Sequence, residues 1–213
     1  MTENEAFIYE SIFNQVRMGF LSIDEIKENI IEEIEDNEFD DEISEAWAFE
    51  IIDEEYKKLL EESKHWKTPT DTEKLIKAFD ELADENIIAL HNAGYTTSDG
   101  EYEVVEVERE LQENEVESDG YCFYHEQDLA RAVSIEDPSL YIAFQKVDNS
   151  DEATTIAVGK KVAEVLRNNG FEVNWNESAR TKIEIPGFRW QNVFDEEARD
   201  LQDYSEVVDR MIQ

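Results

Sequence analysis

The most constraining feature of this chain is an excess of carboxylates in a sequence that is still rich in apolar residues. Its 213 residues include 55 Asp and Glu against 19 Lys and Arg, for a formal net charge of −36, yet 40% are hydrophobic and 11% aromatic. Acidic disordered segments lack the aliphatic and aromatic residues that offset the entropy of ordering a chain. The composition therefore predicts a folded protein with solvated, acidic helix faces.

The same features restrict where the protein acts and what it binds. So negative a field repels phosphate backbones, which argues against a nucleic-acid partner. The longest apolar runs are far shorter than the roughly 20 residues that span a bilayer, and no basic, secretory-type leader is recognised. The single cysteine, Cys122, excludes an intrachain disulfide and fits a reducing compartment. We expect a cytoplasmic protein with no membrane partner and with a basic protein partner; the oligomeric state is left open.

The spacing of apolar residues predicts an α+β fold in three regions. Residues 1–66 are predicted as an acidic helical region, and residues 67–190 as an α/β sheet domain. The boundary is set near Pro69, because the residue before a proline resists the α conformation. Residues 191–213 are predicted as a C-terminal amphipathic helix. The expected architecture is an N-terminal helical region, then a mixed β-sheet covered by helices, then this last helix.

Local signals place several elements within these regions. Ser22 and Glu25 form a capping-box pattern that starts a helix. Short apolar runs predict strands at residues 87–91, 120–124 and 140–144. Residues 101–113 fit either a helix or an alternating strand, and the helix is favoured.

The pattern over residues 153–185 predicts a βαβ unit followed by a return strand. A helix over 153–168, with Gly159 close to the sheet, leads from the third strand into a parallel strand at 171–175. The return strand, 181–185, is expected to place Ile183 opposite Val173.

Several segments resemble a bacterial family of domains of unknown function. They are HNAGYTT at residues 91–97, GYCFYHEQD at 120–128, LYIAF at 140–144, the helix-to-strand unit at 166–175 and GFRWQ at 187–191. The resemblance spans residues 65–191 and implies no activity. Relatives carry cysteines that suit a metal in the loop after the first strand, whereas this loop reads TTSDG at 96–100. The resemblance therefore implies no metal site here.

Three constellations in the sequence could carry chemistry. Cys122 and His125 could pair as thiolate and imidazole, although a lone buried cysteine is more often a small hydrophobe. His125, Glu126 and Asp128 offer metal ligands but lack a fixed third or fourth partner, and a helix cap explains them more simply. The loop at residues 94–100 could hold an anion at a helix start, yet it lacks a phosphate-loop fingerprint. We predict no catalytic residue, no metal site and no cofactor.

The charge balance reverses locally near the end of the sheet domain. Residues 155–190 hold six bases and four acids and also contain Trp175, Phe188 and Trp190. Cationic and aromatic side chains together can form a ligand or peptide site, although pairing of the bases with surrounding acids is the more common arrangement. The tentative ligand-binding residues are His91, Tyr124, His125, Arg180, Lys182, Arg189 and Trp190.

Two functions remain open at this stage. The first is an acidic protein-interaction or regulatory module, resembling an antitoxin or inhibitor, without catalysis. The alternative is a small-molecule or anion-binding domain, which could be an enzyme, with a site around His91, His125, Arg180 and Arg189. Repulsion among the carboxylates further predicts that salt stabilises the fold and that stability rises as pH falls toward about 5.

Overall fold

The chain has an α+β fold, with four N-terminal helices, a mixed four-stranded sheet interleaved with helices, and a C-terminal helix. A computed structural model describes residues 1–134, 136–149 and 151–213. The helices are α1 (Glu3–Met18), α2 (Ile23–Asp36), α3 (Glu45–Ser63), α4 (Asp71–Asp84), α5 (Thr97–Glu113), α6 (Glu126–Ala132), α7 (Glu152–Asn168) and α8 (Ser205–Met211). The strands are β1 (Ile87–Leu90), β2 (Gly120–Phe123), β3 (Ser139–Gln145) and β4 (Ile183–Pro186).

The described residues form two compact units. The helical unit contains Met1–Thr70 and Trp190–Ala198, and the α/β unit contains Asp71–Arg189 and Arg199–Gln213. No described helix combines the length and the apolar character needed to cross a membrane.

The helical unit is built on isoleucine-rich stripes of α1, α2 and α3. Ile12 of α1, Ile30 of α2 and Ile52 of α3 have no exposed surface and lie in one core cluster. The predicted capping box is confirmed: Ser22 Oγ accepts the backbone N–H of Glu25, whose carboxylate accepts the N–H of Ser22 at 2.8 Å. An acidic surface and an apolar core thus coexist because apolar residues recur at helical spacing on one face of each helix, and acidic residues occupy the opposite face.

The sheet of the α/β unit has the order β1-β2-β3-β4. β1 and β2 are parallel and are connected through α5, whereas β2–β3 and β3–β4 are antiparallel. The helix favoured for residues 101–113 is confirmed as part of α5. The parallel βαβ unit therefore lies at β1–α5–β2.

The predicted parallel strand at residues 171–175 does not form. Only Asn174 bridges to the sheet, through two antiparallel hydrogen bonds with Glu184 of 2.9 and 3.0 Å. The register is thus Asn174 opposite Glu184, which displaces Val173 from the predicted partner Ile183. The aromatic residues of the segment pack instead, since Phe171 contacts Phe188 and Trp175 meets Phe144 edge-on at 5.1 Å.

The predicted C-terminal helix over 191–213 is reduced to α8. Asp195, Asp200 and Asp203 each accept the backbone N–H of the residue two positions later. Such local turns compete with helical hydrogen bonds, so the apolar spacing from residue 194 onward does not produce a helix until residue 205.

Gly159 permits the predicted close approach of α7 to the sheet. A Cβ atom at this position would lie 2.6 Å from ring carbons of both Phe144 and Trp175. The glycine therefore fixes how closely α7 packs and, with it, the position of the Trp175 indole.

Candidate functional site

A buried polar cluster forms where α6 begins. His125 is the N-cap of α6, and both it and Asp128 are buried. Lys182, just before β4, places Nζ 2.6 Å from Asp128 Oδ2 and 2.8 Å from His125 Nε2. Thr97 Oγ1, at the start of α5, lies 3.2 Å from the same nitrogen. Because β1 and β2 are parallel, their carboxyl ends lie on the same side of the sheet. The helices that follow them, α5 and α6, therefore begin close together.

Both ring nitrogens of His125 are engaged within this cluster. Nδ1 accepts the backbone N–H of Asp128 at 3.2 Å, so the neutral ring carries its proton on Nε2, 3.1 Å from Asp128 Oδ2. Burial lowers the pKa of His125, and the charges of Lys182 and Arg131 oppose the upward effect of Asp128. A general base needs a lone pair directed at its substrate. The ring is instead used to cap α6 and to donate from Nε2 to Asp128 Oδ2, which also accepts from Lys182 Nζ.

His91 and Tyr124 are two predicted site residues that the structure brings together. His91 Nδ1 lies 3.2 Å from Tyr124 Oη, and the imidazole stacks on Phe79 at 4.5 Å. Burial lowers the pKa of His91 to about 3, and Arg199 contributes in the same direction. The ring is therefore neutral at pH 7. Its Nε2 has no hydrogen-bond partner among the described residues.

The other three predicted site residues lie in separate surroundings. Arg180 is exposed, forms no ion pair with a described residue, and lines a pocket of about 230 Å³ beside Thr155. Arg189 is exposed, and its side chain also lacks an ion pair within the described chain. Trp190 belongs to the helical unit, where it is buried and its indole N–H donates to the Met18 carbonyl at 2.8 Å.

The remaining sequence constellations are occupied by structural contacts. Cys122 is fully buried in β2, and burial raises its pKa, so the thiol stays protonated. At the start of α5, Asp99 Oδ2 accepts both the N–H and the hydroxyl of Thr96 at 2.8 Å. A carboxylate thus already takes the position that an anion would use. Within the described ranges, no group of three or more His, Cys, Asp or Glu could hold a metal ion.

A pocket between α7 and the segment that follows it was missed by the sequence prediction. Its volume is about 310 Å³, and we call it the Trp175 pocket; its lining residues are Lys160, Ala163, Glu164, Arg167, Asn168, Trp175 and Glu177. The indole N–H donates to the Ser178 carbonyl at 3.1 Å, which fixes the ring. The signal was present in the sequence as Trp175 and two bases of the locally basic segment, but the assumed strand at 171–175 obscured it.

The helical unit carries an exposed aromatic residue within a field of carboxylates. Phe7 of α1 is 50% exposed and meets Phe39 edge-on at 6.2 Å. Asn4 donates to Glu42 at 2.8 Å, which ties the turn after α2 to α1. We call this the Phe7 surface; its exposed acids are Glu3, Glu10, Glu38, Asp40, Asp41 and Glu42, none with an ion-pair partner among the residues described.

Comparison with known proteins assigns the chain to a family without assigning an activity. A family model described as a domain of unknown function (DUF6891) matches residues 1–194. This match includes the N-terminal helices, so the family domain extends beyond the resemblance predicted for residues 65–191. No curated protein and no solved structure matches the chain.

Proposed function

This chain belongs to the DUF6891 family, and we propose that it is an acidic interaction module that binds a basic segment of another protein without catalysing a reaction. The observation that carries the proposal is the Phe7 surface, where an exposed aromatic side chain lies among carboxylates that lack a basic partner in the described chain. We also propose, from the sequence, that this binding is regulatory and that it takes place in the cytoplasm.

The Phe7 surface suits a partner that combines Lys or Arg with an apolar side chain. Glu3 and Glu10 lie four residues before and three residues after Phe7, so all three project from one side of α1. Aromatic residues, Phe included, are enriched at protein interfaces, and cations are attracted to aromatic faces. The surrounding carboxylates attract basic segments at long range and raise the rate of encounter. They also repel nucleic acids.

The state of the candidate catalytic groups supports binding rather than chemistry. His125 has both nitrogens engaged, His91 is neutral in the core, and Cys122 is a buried thiol. The alternative site around His91, His125, Arg180 and Arg189 stays a prediction. It has less support, because both histidines are buried and His125 has both ring nitrogens engaged within the fold.

The proposal is tested by calorimetric titration of the full chain with a synthetic lysine-rich peptide that has one central leucine. We expect binding that weakens with salt. Phe7→Ser is expected to lower the affinity about tenfold, as removal of a central aromatic contact does at other interfaces. Asp40→Asn combined with Asp41→Asn should weaken binding and reduce its dependence on salt.

Two controls separate a specific surface from general charge attraction. Tyr102→Ser removes an aromatic side chain that is 64% exposed on α5 of the α/β unit, and it should leave binding unchanged. A peptide with glutamates in place of lysines should not bind. Absence of binding by the lysine-rich peptide would refute the proposed function, whereas equal effects of Phe7→Ser and Tyr102→Ser would refute the proposed surface.

A further inference from the structure

We infer that the Trp175 pocket binds a zwitterionic aromatic compound of the α-amino-acid class. The inference concerns the α/β unit alone and does not depend on the proposed interaction with a basic protein. It rests on the volume of the pocket, on two lining charges of opposite sign that lack an ion pair within the described chain, and on a fixed aromatic wall.

Among the charged residues that line the pocket, one cationic and one anionic side chain have no ion-pair partner within the described chain. Lys160 Nζ and Glu177 form an ion pair of 2.8 Å and neutralise each other. The side chains of Arg167 and Glu164 form no ion pair or hydrogen bond with any described residue, and both residues are exposed. The pocket therefore offers a recognition element for each sign of charge.

Arg167 and Glu164 are spaced for a ligand whose two charges lie close together. They are three residues apart on α7, so they are neighbours on one helix face at about 5–6 Å between Cβ atoms. An α-amino acid carries its ammonium and carboxylate groups on the same carbon. The guanidinium of Arg167 can hold the carboxylate with paired hydrogen bonds, and Glu164 can accept from the ammonium.

The apolar part of the pocket selects the side chain of the ligand. Trp175 is held by its hydrogen bond to Ser178 and by its edge-on contact with Phe144, so its ring is in place before a ligand arrives. An aromatic ring packs well against an indole, and about 310 Å³ falls at the lower end of the range for small-molecule sites.

The overall charge of the protein favours this class over a simple anion. At a net charge of −36, an anionic ligand is repelled at long range, and a cationic ligand meets the unpaired charge of Arg167 within the pocket. A zwitterion has no net charge and avoids both penalties.

The test is a titration of the full chain with L-phenylalanine, L-tyrosine and L-tryptophan in turn. Binding is monitored by ligand-observed NMR. We expect binding of at least one of them, with about tenfold weaker binding of its N-acetyl and amide derivatives. Arg167→Gln should weaken the amino acid about tenfold but leave the amide derivative unchanged. Glu164→Gln should weaken the amino acid and leave the N-acetyl derivative unchanged, because each variant removes the partner of one charged group.

Arg180→Gln is the matched control, because Arg180 is also an exposed and unpaired arginine in the described chain but lines a different pocket. It should bind the amino acid as the unmodified protein does. Failure of all three amino acids to bind at about 10 mM would overturn the inference. Equal binding by the unmodified protein, Arg167→Gln and Glu164→Gln would overturn it as well.

Discussion

At the scale of single residues, the two buried histidines respond differently to their surroundings. His125 lies between Asp128 and Lys182, whose charges act on the ring in opposite directions. Lys182→Met removes one of the charges that lower the His125 pKa, so that pKa should rise. The three histidines can be followed in one NMR titration of their ring protons.

Arg180→Met serves as the control for this titration, because Arg180 forms no ion pair with a described residue and should leave the His125 pKa unchanged. An unchanged His125 pKa in Lys182→Met would contradict the proximity of Lys182 to the ring.

His91 makes stability depend on pH. Its folded pKa of about 3 lies below the ordinary value of 6.5, so the unfolded chain binds the proton more readily. Stability is therefore lost as pH falls below about 6.5, at roughly 1 kcal/mol per pH unit from this group. His91→Gln should flatten the decline between pH 6 and 4 in urea unfolding. His65→Gln removes an exposed histidine and should not flatten it; equal slopes in both variants would contradict the assignment.

At the scale of elements, apolar spacing predicted the helices and most strands because their stripes are long or continuous. α1, α2, α3 and α7 each begin at a polar cap whose side chain accepts a backbone N–H. The two errors arose where local contacts override periodicity. Three aspartate turns hold residues 191–204 out of a helix, and aromatic packing by Phe171 and Trp175 replaces strand pairing.

The packing of α7 gives a direct test at this scale. Gly159→Ala places a methyl group where ring carbons of Phe144 and Trp175 lie 2.6 Å away, so it should destabilise the protein by about 1–3 kcal/mol. Ala157→Gly, at an exposed position of the same helix, measures the helix-propensity effect alone, about 1 kcal/mol. Thermal unfolding compares the two variants. Stabilisation by Gly159→Ala would show that α7 is not held against these rings.

The candidate site was only partly predictable from the sequence. Proximity of His125 to Lys182 depends on tertiary contact between α6 and the residue before β4, although both residues were singled out. The Phe7 surface was missed because the sequence prediction followed the apolar stripe of α1, and Phe7 lies outside that stripe. Its exposure is decided by how α1 packs, with Ile8 and Ile12 facing the core and Phe7 at the edge.

At the level of the whole molecule, the dependence of stability on pH and its dependence on salt have different origins. The pKa values of Glu25, Glu61, Glu81, Asp99, Asp151 and Asp203 are lowered, chiefly by hydrogen bonds from neighbouring side chains. Groups with lowered carboxyl pKa values lose their stabilising effect on acidification, as His91 does. We therefore expect stability to fall below pH 6.5 through His91 and, below pH 4.5, through these carboxyl groups as well, in place of the rise predicted from charge density alone.

Salt dependence reports the long-range repulsion itself. At pH 7, moderate salt screens the surplus of carboxylates and should raise the melting temperature. Calorimetric scans at increasing sodium chloride concentration check this expectation. A falling melting temperature would mean that attractive ion pairs outweigh the repulsion.

The central claim is that the Phe7 surface receives a basic segment. Hydrogen–deuterium exchange of the full chain, with and without the lysine-rich peptide, tests it most directly, because it locates the contact without any substitution. If the peptide binds the Phe7 surface, exchange should be slower at the start of α1 and in residues 37–43, with the α/β unit unchanged. Slower exchange confined to the α/β unit, or unchanged exchange throughout, would contradict it.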